Sequence, residues 1–134
     1  MTSASSGDRE LSTGIVRRSE GVKSREVASG TATRVQVLIG PADGAPNFAM
    51  RRFIMGAGGG MPTHTNTVEH EQYVLKGRAE VSIGGKRFQV SAGDVLYIPA
   101  GLPHDYRVIE APFEFLCMVP NTEDRVDILE NRGC

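Results

Sequence analysis

The sequence has few cysteines, almost no net charge and no long apolar run. Its two cysteines in 134 residues lack the Cys-x2-Cys spacing of a zinc finger, which excludes that class. A formal net charge of −1 excludes the strongly basic field that a nucleic acid or an anionic membrane would attract. No apolar stretch approaches the roughly 20 residues that cross a bilayer, and the N-terminus lacks the apolar core of a secretory signal. We therefore expect a cytoplasmic protein that binds neither nucleic acid nor membrane.

Apolar content is also missing from the start of the chain. Residues 1–12 are rich in Ser, Thr and Gly, and such a composition cannot bury enough apolar surface to fold. The remaining length suits one compact domain, and no linker divides it. We predict a disordered tail over residues 1–12 and a single domain over residues 13–134.

Helical periodicity is absent too. No window carries a 3.6-residue apolar period of helical length, whereas short alternating segments recur between Gly and Pro residues. About ten such segments indicate an all-β sandwich or barrel. Gly84-Gly85 is typical of a two-residue hairpin turn, and Gly77 suggests a chain reversal. The predicted strands are Gly14–Arg18, Arg34–Ile39, Asn47–Met55, Glu71–Lys76, Ala79–Ile83, Lys86–Val90, Asp94–Ile98, His104–Val108, Phe113–Val119 and Val126–Leu129.

What the chain does have is three histidines, each set in a frame of glycine or proline. Two of them lie in the pattern Gly58-x5-His64-x-Asn66-x3-His70-x6-Gly77. Residues two apart on a strand share a face, so His64 and Asn66 should point the same way. His70 begins the next predicted strand and can approach them from there.

The third histidine ends a second pattern, Gly93-x5-Pro99-x-Gly101-x2-His104. A divalent metal needs several nitrogen or oxygen donors that converge from different segments, and a closed sheet can bring these segments together. A surface role for three isolated histidines would leave the two surrounding Gly and Pro frames unexplained. In a closed barrel His64, His70 and His104 can converge and are candidate metal ligands, with Asn66 and Gln72 nearby as candidates for a fourth ligand or an outer-shell hydrogen bond.

The two patterns resemble the paired signature motifs of the cupin superfamily, usually G-x5-H-x-H-x3-E-x6-G and G-x5-P-x-G-x2-H-x3-N. Asn66 stands where the second His usually does, His70 replaces the Glu, and Val108 replaces the final Asn. The resemblance extends over roughly residues 34–120 and is strongest to small single-domain members. It implies a double-stranded β-helix, or jelly roll, a bound divalent transition metal and a homodimer.

The ligand set implied by this resemblance carries no negative charge. Three neutral imidazoles leave a divalent ion its full charge, which favours an anionic or enolate ligand at an open position. Fe, Mn, Zn, Ni and Cu all suit such donors. We expect a metal-dependent dioxygenase acting on a small anionic or enolic organic substrate. A non-redox isomerase, lyase or cyclase, and a non-catalytic small-molecule-binding cupin, are the alternatives.

Two predicted strands bear on what surrounds the metal. Alternation places Phe115 and Cys117 opposite Glu114, so both should face the interior and line the cavity or pack in the core. The two faces of Asn47–Met55 carry one arginine each, and the pattern does not say which face is internal. An arginine on the inner face would indicate a carboxylate substrate.

Overall fold

The computed structural model describes residues 13–129, in which eight β-strands are joined by turns and two short 3-10 segments. The predicted N-terminal tail, residues 1–12, lies outside the described residues. Within the described range, no helix has the length and apolarity that a membrane crossing requires. The strands are β1 Ser24–Glu26, β2 Thr31–Ile39, β3 Phe48–Asn66, β4 His70–Ile83, β5 Lys86–Ser91, β6 Val95–Ile98, β7 His104–Pro120 and β8 Val126–Ile128.

The strands form one antiparallel sheet that folds into a jelly-roll barrel, as the sequence predicted. The main path runs β1-β2-β3-β7-β4-β5, with β6 paired to β4 and β8 paired to β3. The long strands β3 and β7 pair along most of their length, and β7 also pairs with β4. Donors from distant parts of the chain therefore reach neighbouring strands on one inner surface.

Long strands replace several of the short ones expected. The segments on either side of Gly77 are one strand, β4, so the expected chain reversal at Gly77 is wrong. Gly77 has φ +80°, and a Cβ atom there would lie 2.2 Å from the carbonyl oxygen of Pro112 on β7. The glycine is required by the close approach of a neighbouring strand, where the pairing register shifts.

Two further local predictions, one for a hairpin and one for a strand, had opposite outcomes. The hairpin at Gly84-Gly85 is confirmed: both residues have positive φ, as primed turns require, and they join β4 to β5. The predicted strand Gly14–Arg18 is wrong, because no strand occurs there. Gly14 has φ +83°, and Arg17 is anchored through its side chain to the carbonyl of Leu38 and to Asp43 rather than through a backbone ladder.

The barrel interior holds both the apolar core and the histidines. Burial of one such apolar side chain stabilises the fold by about 1.5 to 3 kcal/mol. His104 is among the largest side chains with almost no exposed surface, at 2 %. The largest fully buried apolar side chains, drawn from β3, β4, β6 and β7, are Met55, Val74, Val81, Ile98, Phe113, Phe115 and Cys117.

Candidate functional site

The inner surface encloses a cavity of about 180 Å³. A larger groove of about 500 Å³ lies elsewhere, but it is more open and none of the three histidines lines it. The inner cavity is lined by residues of β1, β2, β3, β4, β7 and β8 and of the segments before β2 and β8, and Arg25 of β1 is among them. Its lining includes all three histidines with Asn66, Gln72 and Phe115.

His64 and His104 lie side by side on the paired strands β3 and β7. They are direct register partners, and their ring centroids are 4.2 Å apart. Each Nδ1 lies close to the carbonyl oxygen two residues earlier, Pro62 at 2.8 Å and Leu102 at 2.9 Å. A carbonyl only accepts, so Nδ1 carries the hydrogen and Nε2 keeps its lone pair. Both rings are thereby oriented by the backbone to offer Nε2 to a ligand.

Burial keeps these two imidazoles neutral. It lowers the pKa of His104 to about 4 and also lowers the pKa of His64, outweighing the backbone carbonyls that favour the protonated rings. A neutral imidazole is the form that binds a metal ion. At neutral pH neither ring needs to lose a proton before it can bind a metal.

His70, at the start of β4, has different neighbours. Its Nδ1 lies 3.1 Å from Cys117 Sγ and 3.5 Å from Arg51 Nη2, and its Nε2 is buried without a hydrogen-bond partner. Burial, followed by the positive charge of Arg51, lowers the pKa of His70 to about 3. Its ring centroid is 5.8 Å from that of His104. His70 therefore belongs to the cluster but is oriented by side chains rather than by the backbone.

The Asn66 side chain has a defined orientation because a carboxylate holds its nitrogen. Asn66 Nδ2 donates to Asp124 Oδ2 at 2.9 Å, and Asp124 Oδ1 accepts from the Thr67 amide at 2.9 Å. The carbonyl oxygen Oδ1 of Asn66 is buried and has no hydrogen-bond partner. The backbone carbonyl of Asn66 also accepts from the Gly101 amide at 2.8 Å, which joins the two sequence motifs.

The remaining predicted residues form a wall beside the histidines. Gln72 Nε2 donates to the Tyr106 hydroxyl at 2.7 Å, and the Tyr106 ring stacks on Phe115 with centroids 5.3 Å apart. Burial raises the pKa of the Tyr106 phenol, which therefore stays protonated. Cys117 contacts His70 from behind the lining residues, and burial raises the pKa of its thiol. Phe115 contributes to the cavity surface and Cys117 to the layer beneath it.

Arg51 lies on the inner face of β3. It is in register with Cys117 on β7, which in turn is in register with Gln72 on β4, so the three residues form one row across the sheet. Arg51 Nη2 lies 3.2 Å from Cys117 Sγ, and its Cζ is 5.1 Å from the centre of the Phe53 ring. The choice between the two arginine-bearing faces, which the sequence left open, is resolved in favour of Arg51.

The donors in the cavity suit a metal ion in chemical type, although they are not gathered around one point. In the described chain, no three His, Cys, Asp or Glu side chains are arranged as they stand to hold a metal ion. The ring centroids of His70 and His104 are farther apart than those of His64 and His104. The unpartnered Nε2 of His70 and Oδ1 of Asn66 are nevertheless buried polar atoms that a cation would satisfy.

Asp124 and Tyr106 line the cavity and were not among the predicted site residues. Asp124 lies in an acidic, loosely patterned segment, and no spacing rule connects it to Asn66. Tyr106 has period-two alternation with His104 on the same strand, and this pattern was a usable signal for its inward direction. The candidate donors named from the sequence line one cavity, but no sequence pattern indicated the carboxylate that orients Asn66.

Two curated proteins resemble part of this chain in sequence. A quercetin 2,3-dioxygenase of Bacillus subtilis is 41% identical over 54 residues, which are 40% of this chain and 16% of that protein. An uncharacterized protein of Methanocaldococcus jannaschii is 34% identical over 67 residues, 48% of this chain and 54% of that one. The chain thus spans about a sixth and about half of the lengths of these two curated relatives.

Solved structures with the same architecture cover nearly the whole chain. The polyketide cyclase RemF from Streptomyces resistomycificus superimposes with a TM-score of 0.83 and 26% identity, over 90% of this chain and 89% of that one. A cupin-2 domain from Rhodospirillum rubrum gives a TM-score of 0.73 at 24% identity, over 94% and 86%, and supports the fold. The family model Cupin_2, cupin domain, matches residues 51–119. The chain is therefore a member of the cupin family.

Proposed function

We propose that this cupin is a metal-dependent enzyme acting on a small organic anion or enolate, with dioxygenation as the first candidate reaction. One observation carries the proposal: buried neutral imidazoles lie beside a guanidinium cation in the same cavity. Such a cavity offers a cation-binding cluster and a positive charge, but little negative charge of its own. It favours a ligand that brings negative charge.

Different side chains in the cavity would bind the metal, orient Asn66 and exclude water. His64 and His104, with His70 and the oxygen of Asn66, would hold the metal, which when bound supplies Lewis acidity and, for Fe, Mn, Ni or Cu, reactivity toward dioxygen. Asp124 keeps the Asn66 amide oxygen directed away from its own carboxylate. The aromatic wall excludes water from the reacting end of the substrate, which strengthens electrostatic attraction inside the cavity.

The dioxygenase assignment is supported by the likeness to a quercetin 2,3-dioxygenase. That likeness is local, because it covers a small part of the longer protein. This dioxygenase nevertheless has the higher identity of the two curated proteins described above. An imidazole-rich metal site with open positions would also suit this reaction. The substrate class follows from the charge of the site rather than from the relative.

A non-redox cyclase is the second candidate, supported by a different observation. The similarity to the polyketide cyclase extends over nine tenths of both chains, whereas the dioxygenase match covers less than half of this one. Ring closure of a polycarbonyl chain also proceeds through an enolate, so the same charge argument applies. The two reactions differ in whether dioxygen is consumed.

Elemental analysis and oxygen uptake test the proposal together. Protein purified without a chelator or a metal-binding tag is incubated in turn with Fe(II), Mn(II), Ni(II), Cu(II) and Zn(II), then desalted. We expect about one metal ion per chain and enzyme-dependent conversion of enolic diketones or flavonols. Oxygen consumption matched to product identifies the dioxygenase, and conversion without oxygen uptake identifies the non-redox enzyme. Absence of a bound metal after all five incubations contradicts both.

We also propose a homodimer that uses the outer face of β4 and β6. Tyr73 and Val95 are register partners on this face, and both are exposed together with Tyr97. An exposed apolar patch of this kind marks an interaction surface. Light scattering coupled to size exclusion should give twice the monomer mass of 14.4 kDa, and Val95→Lys should shift the protein toward monomer.

A further inference from the structure

The guanidinium of Arg51 is a partly buried cation without a carboxylate partner. None of the ion pairs within residues 13–129 includes it. Its neighbours are the weak acceptor Cys117 Sγ, the ring nitrogen of His70 and the face of Phe53. Its Nε atom is buried and makes no hydrogen bond. The side chain therefore has donors in excess of the acceptors around it, and a guanidinium presents them as a planar fork that matches a carboxylate.

The adjacent residue shows what the fold does when an arginine has a structural role. Arg52 points to the opposite face of β3, where it pairs with Glu114 and also donates to Ser19 Oγ at 3.3 Å. Both partners of that ion pair are largely buried. Among residues 13–129 the fold thus supplies an internal carboxylate to Arg52 and none to Arg51, although the two are neighbours on one strand.

Electrostatics point the same way. A divalent ion held by the imidazoles would lie in the same small cavity as the Arg51 cation, and two cations in a medium of low dielectric constant repel each other strongly. Asp124, the carboxylate that lines the cavity, is exposed and already accepts from Asn66 and Thr67. An anionic ligand that reaches both the guanidinium and the imidazole cluster removes this repulsion.

We propose that Arg51 is a substrate-binding residue that recognises the carboxylate of a small keto or enol acid. The second half of this inference, that the enol oxygen faces the imidazole cluster, rests on the proposed function; the recognition of the carboxylate by Arg51 does not. The cavity of about 180 Å³ is small for a ligand pocket, which suits an acid with few carbon atoms. A 2,4-dioxo acid has the required groups: a carboxylate and an enolisable 1,3-dicarbonyl a few bonds apart.

A matched pair of ligands tests the proposal. The probes are 2,4-dioxopentanoate and pentane-2,4-dione, which share the enolisable diketone and differ in the carboxylate. Their affinities are measured by titration calorimetry on metal-free and metal-loaded full-length protein. We expect the acid to bind wild type about 10- to 100-fold more tightly than the neutral diketone in both forms, the range expected for a hydrogen bond to a charged group.

Variants of Arg51 test whether this residue causes the preference for the acid over the neutral diketone. Arg51→Gln should abolish the preference for the acid, and Arg51→Lys, which keeps the charge but loses the fork, should retain part of it. Arg52→Gln is the matched control on the same strand, and it should keep the full preference while lowering thermal stability. Circular dichroism and thermal melting of each variant establish that it is folded before binding is compared.

The outcomes separate this inference from the proposed function. If metal-free wild type prefers the acid through Arg51 but takes up no metal, the carboxylate site stands and the metal enzyme does not. If the protein binds metal and converts diketones but binds both probes equally, the inference is overturned while the function stands. Retention of the full preference in folded Arg51→Gln overturns it as well.

Discussion

Each face of β3 carries one arginine, and the two arginines have different surroundings. On one face, Arg52 finds Glu114 and the pair joins β3 to β7 under the N-terminal segment. On the other, Arg51 finds no carboxylate in the described chain and lies beside His70. A polar group with an internal partner stabilises the fold, whereas one without a partner is available to a ligand at some cost in stability.

This difference teaches how to separate structural from functional charge on one strand. Residue type and neighbourhood in the sequence are the same for both arginines, and only the two-residue period distinguishes them. The cavity face holds atoms with unused bonding capacity, namely Asn66 Oδ1, His70 Nε2 and Arg51 Nε, but Arg52 Nε on the other face is unpaired as well. The useful criterion is therefore the whole charged group and its counter-charge, not a single unpaired atom.

The largest expected effect comes from removal of an inner-face histidine. His64→Ala and His104→Ala should each weaken metal binding by more than about 100-fold, the upper end of what loss of an outer-shell partner costs. Metal content after desalting and competition with a chromogenic chelator give the affinities. Wild-type metal content in both variants would mean that these imidazoles do not bind the ion. The inner face would then not be the metal-binding face of the barrel.

Acidification should destabilise the metal-free protein through the same histidines. The pKa values of His70 and His104 are lowered to about 3 and about 4 in the fold, against an ordinary value of 6.5. Between pH 6.5 and about 4, the unfolded chain binds these protons and the folded chain does not, so the free energy of unfolding falls as the pH falls. From pH 7 to pH 5 the loss should be about 2 kcal/mol for each histidine.

Urea unfolding at pH 7, 6 and 5 in the presence of a chelator measures this slope. His104→Gln removes one of the titrating rings and should make the dependence on pH shallower. An equal slope in wild type and variant would contradict neutral burial of that imidazole. The window lies above the ordinary pKa of carboxylates, which keeps acid denaturation by those groups out of the comparison.

Opposite stability effects are expected for the two arginines. Arg52→Gln leaves Glu114 without its counter-charge, and we expect a loss of about 2 kcal/mol, less than for a fully buried pair because both partners keep some exposure. Arg51→Gln removes an unpaired cation from the cavity and should change the stability of the metal-free protein by less than about 1 kcal/mol. Thermal and urea melts of both variants measure the difference. A larger loss in Arg51→Gln than in Arg52→Gln would reverse our interpretation of the two faces.

The smallest expected effect concerns the residue that orients Asn66. Asp124→Ala frees the Asn66 amide to rotate, and metal affinity should fall about tenfold, as for other outer-shell partners. The same chelator competition measures it. Asp127→Ala, which removes a nearby carboxylate that pairs with Arg125 instead, is the matched control and should leave the affinity unchanged. Equal losses in the two variants would attribute the effect to general negative charge.

Part of the fold could be predicted because glycine readily adopts the positive φ that other residues avoid, and because the proline ring fixes φ. Gly84 and Gly85 adopt the positive φ that the hairpin requires. Gly77 was misinterpreted because positive φ serves a tight turn and a close strand approach equally well, and only the tertiary contact with Pro112 distinguishes them. Gly14–Arg18 alternates like a strand, yet no neighbouring strand pairs with it in the fold.

The sequence brought the candidate donors into one cavity but did not give their orientation. The two motifs, each set in a frame of glycine or proline, indicated that His64, His70 and His104 lie in one region. The two-residue period of a strand gave Asn66 the same direction as His64. Which arginine faces the cavity depends on strand pairing across β3, β7 and β4, which no local pattern encodes. The contact of Asn66 with Asp124 joins residues far apart in the sequence, in a segment without periodicity.

The hydrogen bond from the Gly101 amide to the backbone carbonyl of Asn66 has a consequence for how the site can change over evolutionary time. The loop that carries the second motif is held by the main chain at position 66, and any residue type provides that carbonyl. The side chain at the same position is thus free to be exchanged between amide, imidazole and other donors without moving the loop. The side chain at position 66 can therefore change the polar groups in the cavity while the main chain keeps the loop in place.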